Sequence, residues 1–230
     1  MNIKNLSAYS PAVMAVAMFF LLWELAVRIG HISSTILPAP SLIVSFSAPY
    51  WGVIAEHSLQ TLLEAVTGLM AAVVLGVAAA LALNLSTAVR KALYPLLVSS
   101  QTIPVIALAP LLLIWLGYGL LPKVIIVTMY CFFPIAIATA AGLASVDPQQ
   151  INLFRTMKAS RLQLLRFVSI PTALPAFFSG LKIAVAYSMT GAIVGEYVGA
   201  SKGLGIFIQT SANAHAVPLV FAAIFFTAII

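Results

Sequence analysis

The chain has 230 residues, of which 63% are hydrophobic and only 7% are charged. Its mean hydropathy of +1.13 is far from that of soluble domains, in which about 45–50% of residues are apolar and about 25% are charged. This composition excludes an ordinary soluble enzyme and indicates an integral membrane protein. The net charge of +6 comes from 11 basic and 5 acidic residues; we interpret it as a topology signal, not as a nucleic-acid interface.

Six apolar runs follow one another along the chain. A helix needs about 20 residues to cross about 30 Å of hydrocarbon, and the runs cover 11–27, 65–83, 96–116, 124–144, 172–194 and 214–230. The sequence therefore predicts an all-α integral membrane protein with about six transmembrane helices. Residues 1–57 would form an N-terminal helix and an external linker, and residues 58–230 the main transmembrane domain. The last run is still apolar at Ile230, so we expect the natural protein to continue beyond it.

The orientation follows from the positions of lysine and arginine in the short loops. An N-terminus in the cytoplasm would place three basic residues outside, namely Arg28, Lys123 and Lys202. It would place seven inside, namely Lys4, Arg90, Lys91, Arg155, Lys158, Arg161 and Arg166. The seven-to-three excess predicts a cytoplasmic N-terminus and a cytoplasmic loop between the fourth and fifth spans.

This fourth loop, "RTMKASRLQLLRFVSIPTALP" at 155–175, carries the densest group of cations in the chain. Asp147 before Pro148 is a typical helix start, and Ser160 with Gln163 has the spacing of a capping box. We therefore predict two short helices with a bend near Lys158–Ser160, the second limited by Pro171 and Pro175. Such a segment could lie on anionic lipid or dock a soluble partner.

A family resemblance favours docking. The stretch "VDPQQINLFRTMKASRLQLLRFVSIPTALPAFFSGLKIA" resembles the cytoplasmic loop of permease subunits in binding-protein-dependent ABC importers. "ILPAPSLIVSF" (36–46), "QTIPVIALAPLLLIWLGYG" (101–119) and "GEYVGASKGLGIFI" (195–208) are similar to other segments of that family. The likeness points to the nitrate, sulfonate, taurine and pyrimidine-precursor branch, which has the type I importer fold.

The resemblance implies a set of partners and a location. The permease would bind two ABC ATPase subunits, an extracytoplasmic solute-binding protein and a second permease copy, in a bacterial cytoplasmic (inner) membrane and its lipid. ATP and Mg²⁺ would be held by the ATPase, with no cofactor on this chain. The family's coupling helix would dock the ATPase through Arg155, Thr156, Met157, Lys158, Ala159 and Ser160. Where the family usually has glycine, this chain has Lys158, so we expect ordinary negative φ at that bend.

The translocation path should be lined by polar or small groups within otherwise apolar spans. Two groups fit this description. The first precedes Pro104 and the second lies in the fifth span; together they comprise Ser99, Ser100, Gln101, Thr102, Tyr187 and Ser188, with Thr190 nearby. These side chains could equally act as packing contacts between helices. Lys182 could snorkel toward the inner surface or offer its charge to an anionic solute.

The remaining motifs and charged residues say less about the function. No metalloprotease, nucleophile-elbow or phosphate-loop motif is present in the sequence, and the three histidines lack the spacing of metal ligands. We expect Glu196 to lie at the membrane interface, and "GASKGLG" (199–205) to be either a simple turn or a contact for a solute-delivering protein. The sequence thus predicts the permease of an ATP-driven importer for a thiamine pyrimidine precursor, a sulfonate, taurine or nitrate. The alternative is a gradient-driven secondary transporter or a channel.

Overall fold

A computed structural model describes residues 6–230, apart from the side chains of residues 6–10, Leu85 and Thr87. Lys4, one of the predicted cytoplasmic charges, lies outside the described residues. Between residues 6 and 230 all regular structure is helical. The helices are α1 (Leu6–Ile29), α2 (Pro40–Ser47), α3 (Trp51–Leu85), α4 (Thr87–Ser100), α5 (Val105–Leu116), α6 (Leu120–Ala144), α7 (Pro148–Thr156), α8 (Arg161–Leu164), α9 (Ile170–Gly199), α10 (Leu204–Asn213) and α11 (Val217–Ile229).

The chain divides into two units, the first of which comprises the residues up to Ser58 together with Ile206–Ile230. In this unit the amide of Ser41 donates to the Glu24 carboxylate at 3.0 Å, and its hydroxyl donates to the same group at 2.7 Å. Ser41 is the second residue of α2, so Glu24 satisfies a backbone donor that has no partner within its own helix. Arg28 holds the carboxylate from the other side at 2.6 Å. The "PAPS" sequence is thus a helix start capped from α1.

The second unit, Leu59–Gly205, is organised around α6. Its buried centre combines small and branched side chains of α3, α6 and α9, namely Ala65, Ala72, Val127, Cys131, Ile135, Ala184 and Ala192. Glycines allow the neighbouring helices to approach α6 closely. A Cβ atom at Gly180 would lie 2.6 Å from the Pro134 carbonyl oxygen, and one at Gly191 would lie 3.0 Å from the Val127 Cα. Small residues at helix contacts are the usual basis of close packing in membranes.

Four helical stretches are long and apolar enough to cross a membrane: Pro11–Ile29, Pro40–Asn84, Leu120–Ala144 and Arg161–Gly199. A fifth results if Ala88–Ser100 and Val105–Leu116, which meet at 94°, count as one broken span. The sixth predicted run corresponds to a shorter apolar helix, Val217–Ile229. Each predicted run therefore coincides with apolar helix, and four or five stretches of the described residues are long and apolar enough to be spans.

The prolines after the cytoplasmic loop do not end the second short helix, which corrects the prediction that Pro171 and Pro175 would limit it. From Arg161 the chain is helical to Gly199, with one widened π turn at Leu165–Ser169. Pro171 has no N–H, and its ring would clash with a carbonyl four residues earlier in a regular helix. The π turn lies at that point and lets the helix continue past the proline.

The close packing of α3 on α6 can be tested by adding one methyl group. At Gly68 a Cβ would lie 2.5 Å from the Val127 Cγ1, whereas at Gly52, in the same helix, no atom lies within 4 Å. We expect Gly68→Ala to cost about 1–3 kcal/mol of stability through overpacking. Gly52→Ala should be neutral or stabilising by up to roughly 1 kcal/mol, because alanine is the better helix former. Thermal unfolding of the detergent-purified protein measures both, and equal melting temperatures for the two variants would contradict this account.

Candidate functional site: a basic loop, a lined cavity and a buried charge network

The loop between α6 and α9 begins with a capped helix. The Asp147 carboxylate accepts the amide of Gln149 at 2.8 Å, which places Pro148 in the first turn of α7 as predicted. The next helix start also matches the prediction. The Ser160 hydroxyl accepts the amide of Gln163, and the Gln163 side chain accepts the amide of Ser160 at 2.7 Å, which closes a capping box. These two caps fix where α7 and α8 begin.

The bend itself corrects one prediction, because Lys158 has a φ of +58° instead of an ordinary negative value. It follows the end of α7 in a Schellman arrangement: the Ala159 amide donates to the Phe154 carbonyl at 3.0 Å, and the Lys158 amide donates to the Arg155 carbonyl at 2.9 Å. This arrangement requires a left-handed residue, usually glycine, after the helix. The lysine therefore adopts the conformation that glycine would adopt, at a cost of roughly 1–2 kcal/mol.

The loop presents apolar side chains outward beside its cations. Leu153 on α7 and Met157, four residues later and directly after the helix, are 59% and 70% exposed. Arg155, Lys158 and Arg161 are exposed around them, whereas Phe154 is half-buried beneath the bend. Residues at i and i+4 share one helix face, so Leu153 and Met157 form a continuous apolar patch. We call this patch and the surrounding cations the docking face.

A cavity of about 790 Å³ lies where α4 and α5 meet, against α6 and α9. The break between α4 and α5, at 101–104, forms one wall. The other walls are mostly apolar and aromatic, and none of the described lining residues is charged. The lining comprises Gln101, Ile103, Pro104, Val105, Met129, Tyr130, Phe133, Pro134, Ile137, Ala138, Ser179, Gly180, Ile183, Tyr187 and Thr190.

Two of the six predicted pathway residues, Gln101 and Tyr187, line this cavity. The hydroxyls of Ser100 and Thr102 donate to backbone carbonyls of the preceding turn at 2.8 and 2.7 Å. Ser99 is exposed outside the cavity. Ser188 is buried, is not part of the lining, and donates to the Val185 carbonyl at 2.7 Å. Short hydroxyls in apolar helices readily bond to their own backbone, which is why polarity alone is a weak guide to the lining.

Sequence reasoning missed the aromatic wall. Tyr130, Phe133 and Ile137 line the cavity from α6, and their spacing of three and four residues places them on one helix face. That spacing was the available signal, although an aromatic face in an apolar span more commonly packs against another helix or lipid. Lys182, considered as a cation for an anionic solute, is exposed and is not part of this lining.

A network of charged residues is buried between α3, α6 and α9. Lys123 donates to Glu64 at 2.7 Å, and their side chains are 7% and 0% exposed. Gln60 donates to the same Glu64 oxygen at 2.7 Å, while the other oxygen is buried without a partner in the described residues. Burying charges is costly unless they are paired. Here the pairing joins residues that are 59 positions apart in the sequence.

Glu196, which we expected at the membrane interface, is enclosed by protein in this buried region. Its side chain is 0% exposed. One carboxylate oxygen accepts the Thr61 hydroxyl at 2.7 Å, and the other accepts the amide of Gly205. The Thr61 oxygen in turn accepts the amide of Leu204 at 2.8 Å. The carboxylate therefore accepts hydrogen bonds from α3 and from the start of α10.

Known proteins similar to this chain are membrane permeases. The model of the family "binding-protein-dependent transport system inner membrane component" matches residues 72–230. A probable ABC transporter permease protein of Haemophilus influenzae is 38% identical over 92% of this chain and 86% of its own length. The formylaminopyrimidine transport permease protein ThiX of Halalkalibacterium halodurans is 40% identical over 90% of this chain and 83% of its own.

The fold comparison agrees with the family. A crystal structure of an amino acid ABC transporter with histidines superposes with a TM-score of 0.61, covering 81% of this chain and 94% of that chain at 16% identity. The likeness shows the ABC permease fold. Permeases named for taurine, aliphatic sulfonates and nitrate also align with the chain, which confirms the predicted branch. The chain therefore belongs to the family of binding-protein-dependent transport system inner membrane components, as the permease subunit of an ABC importer.

Proposed function

We propose that this permease pairs with a second copy of itself and carries an ATPase subunit on the docking face of each copy. The N-terminus is cytoplasmic and the chain crosses the membrane six times, with the broken α4–α5 pair as one crossing and α11 as another. ATP and Mg²⁺ are bound and ATP is hydrolysed on the partner chain. An external solute-binding protein delivers the solute. This chain itself contributes conformational coupling and no catalytic residue.

The observation that carries the docking proposal is the exposed apolar patch of Leu153 and Met157 within a ring of cations. An exposed apolar patch rimmed by polar residues is typical of a protein contact. The segment is also fixed in shape, since the Schellman turn and the capping box at Ser160 define both sides of the bend. A fixed helix can transmit a displacement of its partner, which a flexible loop could not. Arg155, Thr156, Met157, Lys158, Ala159 and Ser160 together form this bend and the end of α7.

A charge placed in the patch tests the docking face. We expect Met157→Asp to weaken ATPase binding at least roughly 30-fold, because truncating a central apolar contact typically costs about 2 kcal/mol or more. Asn152→Asp is the matched control, since it adds the same charge at an exposed position of α7 about 140° around the helix axis from Met157. Co-purification of the ATPase with the detergent-solubilised permease gives the readout. If Met157→Asp retained the ATPase but bound anionic vesicles less well, the docking face would be a lipid contact.

The left-handed Lys158 provides a second test of the bend. Lys158→Gly should leave ATPase binding intact and raise stability by up to roughly 1 kcal/mol, since glycine adopts positive φ without the steric cost of a Cβ. Lys158→Val should loosen the bend, because β-branched residues are genuine outliers at positive φ. Solute-stimulated ATP hydrolysis by the assembled complex should therefore fall in the valine variant alone. Equal activity in both variants would show that the bend geometry is irrelevant to coupling.

For the solute, we propose a small neutral heteroaromatic molecule of the pyrimidine type. Two observations support this choice. The cavity is lined by Tyr130, Phe133 and Tyr187 with Gln101 as an amide contact, and its described lining has no charged side chain. In addition, ThiX, which is 40% identical, is named for a formylaminopyrimidine. Aromatic faces stack on flat rings, and an amide can donate to or accept from a ring substituent.

One feature would favour an anion such as a sulfonate or nitrate. The N-terminus of α5, at Pro104 and Val105, lines the cavity, and helix N-termini carry a partial positive charge. Its amides can also donate to the ring nitrogens of a pyrimidine, so this feature alone does not decide between the solutes. The absence of a cationic side chain from the described lining therefore weighs toward the neutral ring.

The solute can be identified by ATP hydrolysis in the reconstituted importer with its binding protein and a panel of a formylaminopyrimidine, taurine, an alkyl sulfonate and nitrate. We expect the pyrimidine to stimulate hydrolysis and to be taken up. Tyr187→Ala should then lower uptake roughly tenfold through loss of stacking, worth about 1–3 kcal/mol per base, whereas Tyr187→Phe should retain most of it. Phe178→Ala, in the same helix as Tyr187 but exposed and outside this cavity, is the control. Stimulation by taurine or nitrate, but not by the pyrimidine, would reject this solute class.

A further inference from the structure

The start of α10 has a feature that its own sequence does not explain. The helix begins at Leu204, directly after Gly203, so the residue at the capping position has no side chain. The first amides of a helix have no partner within it and need an acceptor. Two oxygens from distant parts of the chain supply it: Thr61 accepts the Leu204 amide at 2.8 Å, and Glu196 accepts the Gly205 amide. The cap therefore comes from α3 and α9.

The glycines of "GASKGLG" make room for this cap. A Cβ at Gly203 would clash with the Glu196 carboxylate. A Cβ at Gly205 would lie 2.9 Å from a Glu196 oxygen and 2.7 Å from the Ile193 carbonyl oxygen. Gly203 also has a φ of +132°, a conformation that other residues rarely adopt. The glycines at 203 and 205 are thus required by a buried carboxylate beneath them, and not merely by a tight turn.

The two halves of the turn have opposite surroundings. Gly203, Leu204 and Gly205 are buried on the cap, whereas Ser201 and Lys202 are exposed. Next to them Tyr118 is 83% exposed, and a cavity of about 490 Å³ is lined by Tyr118, Gly119, Lys123, Gly199, Ala200 and Ser201. The exposed side chains of the turn therefore sit on a backbone that Glu196 and Thr61 hold by two hydrogen bonds.

The cap also adjoins the buried Glu64–Lys123 pair. Glu64 and Lys123 lie close enough to Glu196 to interact with it electrostatically. Gln60, Thr61 and Glu64 come from one stretch of α3, Lys123 from α6 and Glu196 from α9. Since all three helices contribute to one buried polar group, their ends and the turn are held in a single arrangement. Satisfied polar networks of this kind make a packed region rigid.

We propose that Glu196 and Thr61 are positioning residues that hold the 200–205 turn in the form contacted by the external solute-binding protein. Neither side chain touches the solute or the binding protein; both act through the backbone of Leu204 and Gly205. The inference rests on the proposed orientation, which places this turn outside, and on delivery of the solute by a binding protein. It assigns a role to a buried carboxylate that the transport cavity and the docking face do not use.

Thr61 offers a matched pair of variants. Thr61→Ser retains the hydroxyl that donates to Glu196 and accepts from Leu204. Thr61→Val has nearly the same shape but leaves both partners without their bond. In the importer reconstituted with its ATPase, the readout is ATP hydrolysis as a function of the concentration of binding protein loaded with a formylaminopyrimidine. Hydrolysis without binding protein is measured in parallel.

We expect Thr61→Val to raise the binding-protein concentration for half-maximal stimulation about tenfold, within the range usual for coupled sites. Its hydrolysis without binding protein should match the wild type, and Thr61→Ser should behave as the wild type throughout. An equal half-maximal concentration for valine and serine variants would overturn the proposal. So would failure of the Thr61→Val permease to assemble with its ATPase, because the cap would then serve folding alone. A wild-type complex that no loaded binding protein stimulates would instead reject the proposed function.

Hydrogen exchange of the wild-type protein tests the geometry without any substitution. Capped amides at Leu204 and Gly205 should exchange at least as slowly as amides in the middle of α10, because both have fixed acceptors. Rapid exchange at these two positions would show that the cap does not exist in the membrane and would overturn the inference.

Discussion

The closeness of α3 and α9 to α6 is the constraint on which the rest of the second unit depends. Where Gly68, Gly180 and Gly191 meet α6, there is no space for even a methyl group without displacement. In a membrane, helices gain little from hiding apolar surface from one another, so close van der Waals contact has to supply the association. That contact sets where the ends of α3, α6 and α9 converge. It thereby sets the position of the cavity wall on α6 and of the buried charges at Glu64, Lys123 and Glu196.

The three functional features of this unit are separated according to chemistry. Cations and exposed apolar side chains occupy the loop between α6 and α9, uncharged aromatic groups line the cavity, and paired charges are buried near the turn after α9. This arrangement suits the permease function proposed above, since a path for a neutral solute needs few fixed charges. Charges that are paired and enclosed can hold helices together without attracting ions into the path.

Local sequence patterns predicted much of this structure. The apolar runs, the caps at Asp147 and Ser160 and the bend between the two short helices each depend on residues within a few positions of one another, and all are present. The sequence was a poorer guide where a side chain is bonded to a residue far away in the sequence. Glu196 is satisfied by Thr61, 135 residues away, and nothing near Glu196 in the sequence reveals this. The positive φ at Lys158 was missed for a different reason, because the helix end outweighs the residue's own preference.

The helical stretch Arg161–Gly199 has a consequence for how motion could pass through the membrane. It begins beside the docking face, at the capping box of Ser160, and it ends three residues after Glu196. With 39 residues it is roughly 58 Å long at 1.5 Å per residue, about twice the hydrocarbon thickness. As a lever pivoting near its middle, it would convert a tilt of about 10° into opposite displacements of about 5 Å at its two ends, given that length. With the proposed orientation and partners, this one helical stretch would transmit a movement of the ATPase to the outer surface. It would equally transmit a movement caused by the loaded binding protein to the inner surface.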